Sequence, residues 1–180
     1  MQLGKMGKES SKKDLTPRRR PLPYRIKKYK VKLPVLKPEE WFYLMAAGND
    51  WESVETTGVM ADWLSNFASD KDRPDAWKYA EWARALRHLR SDYDVIKVYM
   101  SLHAKGLVDA ALDTDKGLIH VDYLDSAIIT REPERYWFFA REDLREAMLE
   151  LSREVGFIPL SVFLERQGQE VEVIEVIYNK

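Results

Sequence analysis

Residues 91–123 read SDYDVIKVYMSLHAKGLVDAALDTDKGLIHVDY, and local signals divide this stretch into a helix and a β-hairpin. Ser91 is suited to cap the start of the helix, and Gly106 to end it in a left-handed conformation. The apolar residues between them recur at helical spacing and are Val95, Val98, Tyr99 and Leu102. Residues 108–113 and 118–123 then flank the turn sequence TDKG. The stretch therefore predicts a helix followed by two antiparallel strands.

This order of helix, strand, acidic-glycine turn and strand resembles the last helix and wing of winged helix-turn-helix proteins. The resemblance extends over about residues 56–123, because helices predicted at 56–68 and from Pro74 to Arg90 would supply the rest of a three-helix core. It implies that the last helix enters a DNA major groove. The polar side chains that could read bases from that helix are Lys97, Ser101 and Lys105.

The first turn of this helix departs from the DNA-binding pattern. Asp92 and Asp94 would face phosphates with like charge, whereas DNA-reading helices carry basic flanks. Docking of a protein on this helix is therefore an equal alternative to groove reading.

The remaining patterns predict an α+β fold. A short helix is expected at about 39–47 and a longer one at about 141–154, while SAIIT and RYWFFA are typical of short strands. FIPLSVFLE and VEVIEVIY are expected to form a hairpin over RQGQ. The predicted fold is an N-terminal helical bundle with a winged-helix-like hairpin, followed by a sheet-rich C-terminal half, and preceded by an extended basic arm.

Charge divides the chain into two predicted parts. Residues 1–37, the basic arm, hold thirteen basic residues against Glu9 and Asp14, a formal charge of +11. Since the whole chain carries −1, residues 38–180 carry −12. We expect those residues to form a single acidic α+β domain, with the winged-helix-like part at 56–123 and a β-α-β-β part at 124–180. Such asymmetry indicates a polyanionic partner for the arm, or an acidic protein surface.

The basic arm has three segments. Residues 1–16 are polar and aperiodic and are predicted to be disordered when free. In PRRRPLP, three prolines favour an extended backbone that presents Arg18, Arg19 and Arg20. Residues 24–33, YRIKKYKVKL, then alternate with period two, which predicts an edge strand that includes KYKVKL at 28–33.

This strand would have two different faces. Lys28, Lys30 and Lys32 would form a cationic row with side chains about 6.6 Å apart, and the apolar face would dock on the domain. Lysines on an edge strand can also serve only to prevent aggregation. With the arginines upstream, we favour contact with a phosphate backbone. The candidate nucleic-acid-binding residues are Lys12, Lys13, Arg18, Arg19, Arg20, Tyr24, Arg25, Lys27, Lys28, Lys30 and Lys32.

Aromatic residues at helical spacing are expected to face the core rather than a ligand. The tryptophans at positions 41, 51, 63, 77 and 82 are therefore predicted to be packing anchors. The same prediction covers one apolar stripe of residues 56–68, which consists of Val59, Met60, Trp63, Leu64 and Phe67.

Motifs for catalysis are scarce. The chain has no cysteine, Walker loop, GxGxxG, GxSxG or HExxH, and its three histidines lack metal-ligand spacing. We therefore expect no cofactor and no metal. A metal-dependent nuclease remains an alternative through the carboxylates Asp113, Asp115, Asp122 and Asp125. No apolar run approaches the roughly 20 residues that span a bilayer, so we expect a cytoplasmic protein without a membrane partner.

Two functional classes remain. The first is a non-catalytic nucleic-acid-associated protein, in which the arm binds phosphates with little sequence selectivity and the acidic domain contacts a protein partner. The second is a structural or assembly protein, for example of a virion or a multi-subunit machine, in which the arm docks into an acidic groove of a neighbouring subunit. Both use the same electrostatics, and they differ in the identity of the polyanion.

Overall fold

The computed structural model describes residues 21–179 and confirms the α+β class. The chain divides into two compact units. Among the described residues, unit 1 consists of 21–27 and 175–179, and unit 2 of 28–174. The domain boundary predicted at residue 37 lies inside unit 2. Within the described residues, no helix is both long and apolar enough to cross a membrane.

The helices and strands follow one another with short connections. The helices are α1 (Pro38–Ala46), α2 (Val54–Thr57), α3 (Ala61–Ala68), α4 (Ala76–Ala85), α5 (Asp92–Ala104), α6 (Ser126–Arg131), α7 (Glu142–Val155) and α8 (Leu160–Arg166). The strands are β1 (Tyr24–Lys32), β2 (Val108–Thr114), β3 (Gly117–Val121), β4 (Tyr136–Ala140) and β5 (Glu170–Tyr178), with a 3-10 turn at Pro133–Arg135.

A three-stranded antiparallel sheet has the order β3-β2-β4. The predicted hairpin is confirmed, because β2 pairs with β3 from Ala110 opposite Val121 to Thr114 opposite Gly117. Gly117 has a φ of 101°, a conformation that an L side chain disfavours, and this permits the tight turn. On its other edge β2 pairs with β4, the strand predicted at RYWFFA.

The α5 helix begins and ends as the sequence predicts. The Ser91 hydroxyl accepts a hydrogen bond from the Asp94 amide, and Gly106 follows the helix with a φ of 72°. The inward face of α5 packs on the sheet through Tyr99, whose ring stacks on Phe138 of β4 at 4.4 Å. Both residues are buried.

The α1 helix lies at the centre of the core of unit 2. Trp41, Tyr43 and Leu44 are fully buried. Trp41 stacks on Phe163 at 4.4 Å, and its indole N–H donates to Gln167 Oε1 at 3.0 Å. The same oxygen accepts a hydrogen bond from the Leu36 amide at 3.1 Å, so the Gln167 side chain holds both α1 and the segment that precedes it.

The prediction of a strand at SAIIT is wrong, because Ser126–Arg131 form α6. The Asp125 carboxylate accepts hydrogen bonds from the Ala127 and Ile128 amides and so caps the helix start. Only one turn separates this cap from Ile129, which is fully buried. The local hydrogen bonds therefore outweigh the β-branched composition of the segment.

The predicted C-terminal hairpin is also wrong. FIPLSVFLE contains α8, which starts after Pro159 and buries Leu160 and Phe163 one turn apart. VEVIEVIY does form a strand, β5, but its partner is β1. The β-α-β-β order predicted for residues 124–180 is therefore replaced by helices around β4, with β5 in a separate two-stranded sheet.

The helix predicted at 56–68 is divided into α2 and α3. Gly58 follows α2 with a φ of 54° and a ψ of −159°, which ends the helix. The buried Tyr43 hydroxyl donates to the Gly58 carbonyl, so the break is held by a contact to the core.

Candidate functional site

The predicted nucleic-acid-binding residues fall in three places. Lys12, Lys13, Arg18, Arg19 and Arg20 lie outside the described residues. Tyr24, Arg25 and Lys27 belong to unit 1, and Lys28, Lys30 and Lys32 belong to unit 2.

In unit 2, residues 28–32 form the inner half of β1, and this half has the two faces that the sequence predicts. Lys28, Lys30 and Lys32 are exposed, whereas Val31 is buried and Tyr29 half-buried. The chain continues to Leu33, which is fully buried. The cationic row is therefore held on the outer face of a strand whose other face is part of the core.

Carboxylates of β5 share this outer face. The Leu33 amide donates to the Gln169 carbonyl at 2.9 Å and the Leu33 carbonyl accepts the Gly168 amide at 2.8 Å, so Leu33 lies opposite a bulge formed by Gly168 and Gln169. Counting back along both strands places Lys32 opposite Glu170 and Lys30 opposite Glu172. Lys28 lies opposite Ile174 instead. The positive charge of the row predicted from β1 alone is thus partly offset by two exposed glutamates. Lys28 has an apolar neighbour across the strand pair.

In unit 1 the start of β1 pairs with the end of β5. The Asn179 amide donates to the Pro23 carbonyl at 2.8 Å, and the Asn179 side chain donates to the Leu22 carbonyl at 2.8 Å. Tyr24 meets Tyr178 edge to face at 6.2 Å. Arg25 and Lys27 are exposed. The half-buried ring of Tyr24 therefore already packs on an aromatic ring of its own unit.

The polar residues predicted to read bases from α5 have partners in unit 2. Ser101 donates to Glu40 Oε2 at 2.7 Å, and Lys105 Nζ lies 2.5 Å from the same oxygen. The Lys97 ammonium lies 4.9 Å from the centroid of the Tyr93 ring. Two of the three candidate readers are thus bonded to a buried carboxylate of α1.

The carboxylates considered for a nuclease do not converge. In residues 21–179 no group of three or more acidic, histidine or cysteine side chains is arranged to hold a metal ion. Asp125 caps α6, while Asp113 and Asp115 belong to the β2–β3 hairpin and its turn. The structure therefore assigns Asp125 a structural contact.

Unit 2 also contains a cleft that the sequence did not predict. Its volume is about 860 Å³, and α1, α3, α7 and the segment from Gly48 to Met60 line it. Phe42, Met45 and Met148 contribute apolar surface from α1 and α7. Trp63 is 41% exposed and Leu149 is 45% exposed, so part of the apolar lining is in contact with water.

Part of the stripe predicted to be core lines this cleft instead. Of that stripe only Leu64 is buried, and Met60 and Trp63 face the cleft. The prediction for the tryptophans is confirmed for Trp41 and Trp82, which are fully buried, and wrong for Trp63 and Trp77. Helical spacing shows that these residues share a face, but it does not show whether another element covers that face.

The Trp63 ring is nevertheless fixed by its neighbours. It meets Phe67 edge to face at 4.7 Å and Tyr79 at 5.8 Å. Tyr79 in turn stacks on Phe157 at 4.5 Å. An exposed indole that is already ordered loses little conformational entropy when a ligand covers it.

Charged residues line the same cleft. Arg145 is anchored, because its Nε donates to the Ala140 carbonyl at 2.9 Å and its guanidinium lies 4.3 Å from the Phe139 ring centroid. Glu52 accepts a hydrogen bond from the Thr56 hydroxyl at 2.8 Å. Among residues 21–179, neither Glu52 nor Glu146 has a cationic group within 4.0 Å. The cleft therefore combines an apolar lining with two carboxylates that form no ion pair with any residue the structure describes.

No known protein family, curated protein or solved structure matches this chain.

Proposed function

We propose that this is an intracellular, non-catalytic, nucleic-acid-associated protein. The basic arm contacts phosphates with little sequence selectivity, and the acidic residues 38–180 contact a protein partner. One observation carries the proposal: thirteen of the 29 basic residues lie in the first 37 positions. Lys28, Lys30 and Lys32 within that segment have exposed side chains.

The contribution of each lysine to polyanion affinity depends on the residue that lies opposite it on β5. Glu170 and Glu172 lower the positive potential at Lys32 and Lys30 and repel phosphates. Lys28 lies opposite the uncharged Ile174, so no carboxylate directly across the pair lowers the potential at its ammonium group. We therefore expect Lys28 to contribute more to polyanion affinity than Lys30 or Lys32.

Salt dependence tests the proposal with the full chain. Fluorescence anisotropy with labelled duplex DNA, single-stranded DNA and RNA gives affinities at several salt concentrations. About 6 to 10 phosphate contacts should lower the affinity by roughly 10³ to 10⁵ between about 50 and 200 mM salt. Affinity for all three polymers that is undetectable or insensitive to salt would contradict the proposal.

Substitutions locate the contact. Lys28→Gln should weaken binding, whereas Lys71→Gln, an exposed lysine in the turn before α4, should leave it unchanged. Lys116→Gln tests the winged-helix resemblance, since Lys116 lies in the turn of the β2–β3 hairpin. A larger loss for Lys116→Gln than for Lys28→Gln would move the proposed interface from the arm to the hairpin.

The assembly function remains the alternative, because an acidic protein surface would be attracted by the same cationic side chains as phosphates. Its partner would be an acidic protein surface. Saturable binding to poly-glutamate combined with no binding to nucleic acid would support it over the nucleic-acid proposal.

A further inference from the structure

The cleft of unit 2 has the size and lining of a binding site. Its volume of about 860 Å³ lies within the roughly 300–1,000 Å³ common for ligand sites. Met45, Met60 and Met148 all line it. Methionine side chains are flexible and polarizable, and they occur in surfaces that adapt to apolar partners of varied shape.

The shape of one wall fits an elongated ligand. Arg145, Met148, Leu149 and Ser152 present one side of α7 to the cleft, and the first and last of them are seven positions apart. At 1.5 Å per residue this wall is about 10.5 Å long. A bound helix with apolar anchors at i, i+4 and i+7 covers the same length.

The exposed rim favours a peptide over a small molecule. Trp63 on α3 and Leu149 on α7 keep 41% and 45% of their surface in water. Both side chains line the cleft, one on each of two helices. A helix that lies along α7 and reaches α3 would cover them.

The charges of the cleft indicate the chemistry of that helix. Glu52 and Glu146 lie in the lining and have no ion-pair partner among the described residues, 21–179. The guanidinium of Arg145 is held on Phe139 and bonded to a backbone carbonyl. An apolar ligand that buries these carboxylates must supply a cation or a hydrogen-bond donor, since an unpaired buried charge is costly. Lysine or arginine beside the apolar anchors provides one.

We infer that this cleft binds an amphipathic helical segment of a protein partner, with apolar anchors on one face and lysine or arginine beside them. The inference rests on the second half of the proposed function, a protein partner for the acidic residues 38–180. It does not require the basic arm to bind nucleic acid.

A peptide selection tests the inference directly, because it reports which sequences the cleft prefers. Random 16-residue peptides displayed on phage are selected on the full chain, with the Leu149→Lys variant used for counter-selection. We expect enriched sequences with apolar residues at i, i+4 and i+7 and with an excess of lysine and arginine. No enrichment over the variant, or enrichment of acidic or extended sequences, would overturn the inference.

Matched substitutions then test whether the enriched peptide binds in the cleft. Leu149 and Leu164 are both leucines that are 45% exposed, but only Leu149 lines the cleft. Leu149→Ser should weaken anisotropy-measured binding by about tenfold or more, as expected for an anchor contact, and Leu164→Ser by less than about twofold. Equal losses in the two variants would contradict binding in the cleft.

The charge requirement has its own matched pair. Glu146→Lys should weaken binding of the basic peptide, while Glu154→Lys makes the same charge change on an exposed position of α7 outside the cleft. If Glu146→Lys binds normally, the stated peptide chemistry is wrong. Thermal unfolding of each variant shows that the fold is retained.

The same variants separate this inference from the nucleic-acid proposal. Leu149→Ser and Glu146→Lys should retain the salt-dependent affinity of the full chain for duplex DNA. Peptide binding without nucleic-acid binding would remove the proposed function of the arm and leave the cleft inference standing. Nucleic-acid binding without a cleft-dependent peptide would remove the cleft inference and leave the proposed function of the arm standing.

Discussion

Lys105 Nζ lies 2.5 Å from Glu40 Oε2 and joins the residue after α5 to the first turn of α1. Glu40 is only 2% exposed. Its second oxygen accepts the Lys37 amide at 3.0 Å, and Ser101 donates to Oε2. The buried Glu40 carboxylate therefore links α1 to α5 and also bonds the backbone at the start of α1.

Replacement of Glu40 by Gln should destabilise the fold by about 1–3 kcal/mol, because hydrogen-bond donors then lose a charged acceptor. Urea unfolding followed by circular dichroism measures the change. Glu154→Gln is the control, since Glu154 is exposed on α7 and should change stability by less than about 0.5 kcal/mol. Equal stability of the two variants would show that the Glu40 contacts add nothing.

The contribution of Glu40 should depend on pH. Burial raises the pKa of Glu40, but hydrogen bonds from Lys105, the Lys37 amide and Ser101, together with the Lys105 charge, hold the pKa below its ordinary value of 4.5. A depressed carboxyl pKa stabilises the folded state above the unfolded-state value, and this stabilisation is lost as pH falls through the folded-state value. The stability difference between wild type and Glu40→Gln should therefore be constant from about pH 7 to about pH 5 and shrink toward about pH 3. A difference that grows on acidification would show that the pKa is raised.

The two faces of β1 should respond differently to serine. Val31 is 5% exposed, so Val31→Ser should cost about 1.5–3 kcal/mol of folding free energy. The neighbouring Lys32 is exposed, and Lys32→Ser should stay within about 0.5 kcal/mol of wild type. Thermal unfolding of the two variants compares the faces directly. Similar melting temperatures would mean that the inner half of β1 is not docked on the core.

The cross-strand register can be tested by charge reversal. Lys30→Glu places like charges opposite Glu172 and should cost about 0.2–1 kcal/mol at low salt. Adding Glu172→Lys should restore most of this loss, because the opposite-charge pair is rebuilt. Adding Glu154→Lys to Lys30→Glu should give no such recovery in urea unfolding. Recovery with both partners would indicate a general charge effect instead of a specific pair.

Local signals were enough to predict several elements. The Ser91 cap, the helical spacing behind it and the TDKG turn all act within a few residues of the chain, and α5 and the β2–β3 hairpin formed as expected. The alternation in KYKVKL likewise predicted which side chains of β1 are exposed and which are buried. In each case neighbouring residues determine the conformation or the face.

Short apolar segments were harder to predict. SAIIT and FIPLSVFLE have compositions typical of strands, yet they form α6 and α8. A segment of one or two turns contains too few residues for its period to distinguish helix from strand. The Asp125 cap and the burial of Phe163 beside Trp41 decide these cases, and the second of these contacts joins residues far apart in the sequence.

Composition and local pattern were enough to predict the α+β class, the charge division between residues 1–37 and 38–180, and the faces of β1. Long-range packing sets the pairing of β5 with β1, the position of Glu172 opposite Lys30, and the exposure of Trp63 in a cleft. Periodicity assigns residues to one face of an element, whereas burial and charge pairing depend on which distant element covers that face. That choice is made by long-range packing, which no local pattern specifies.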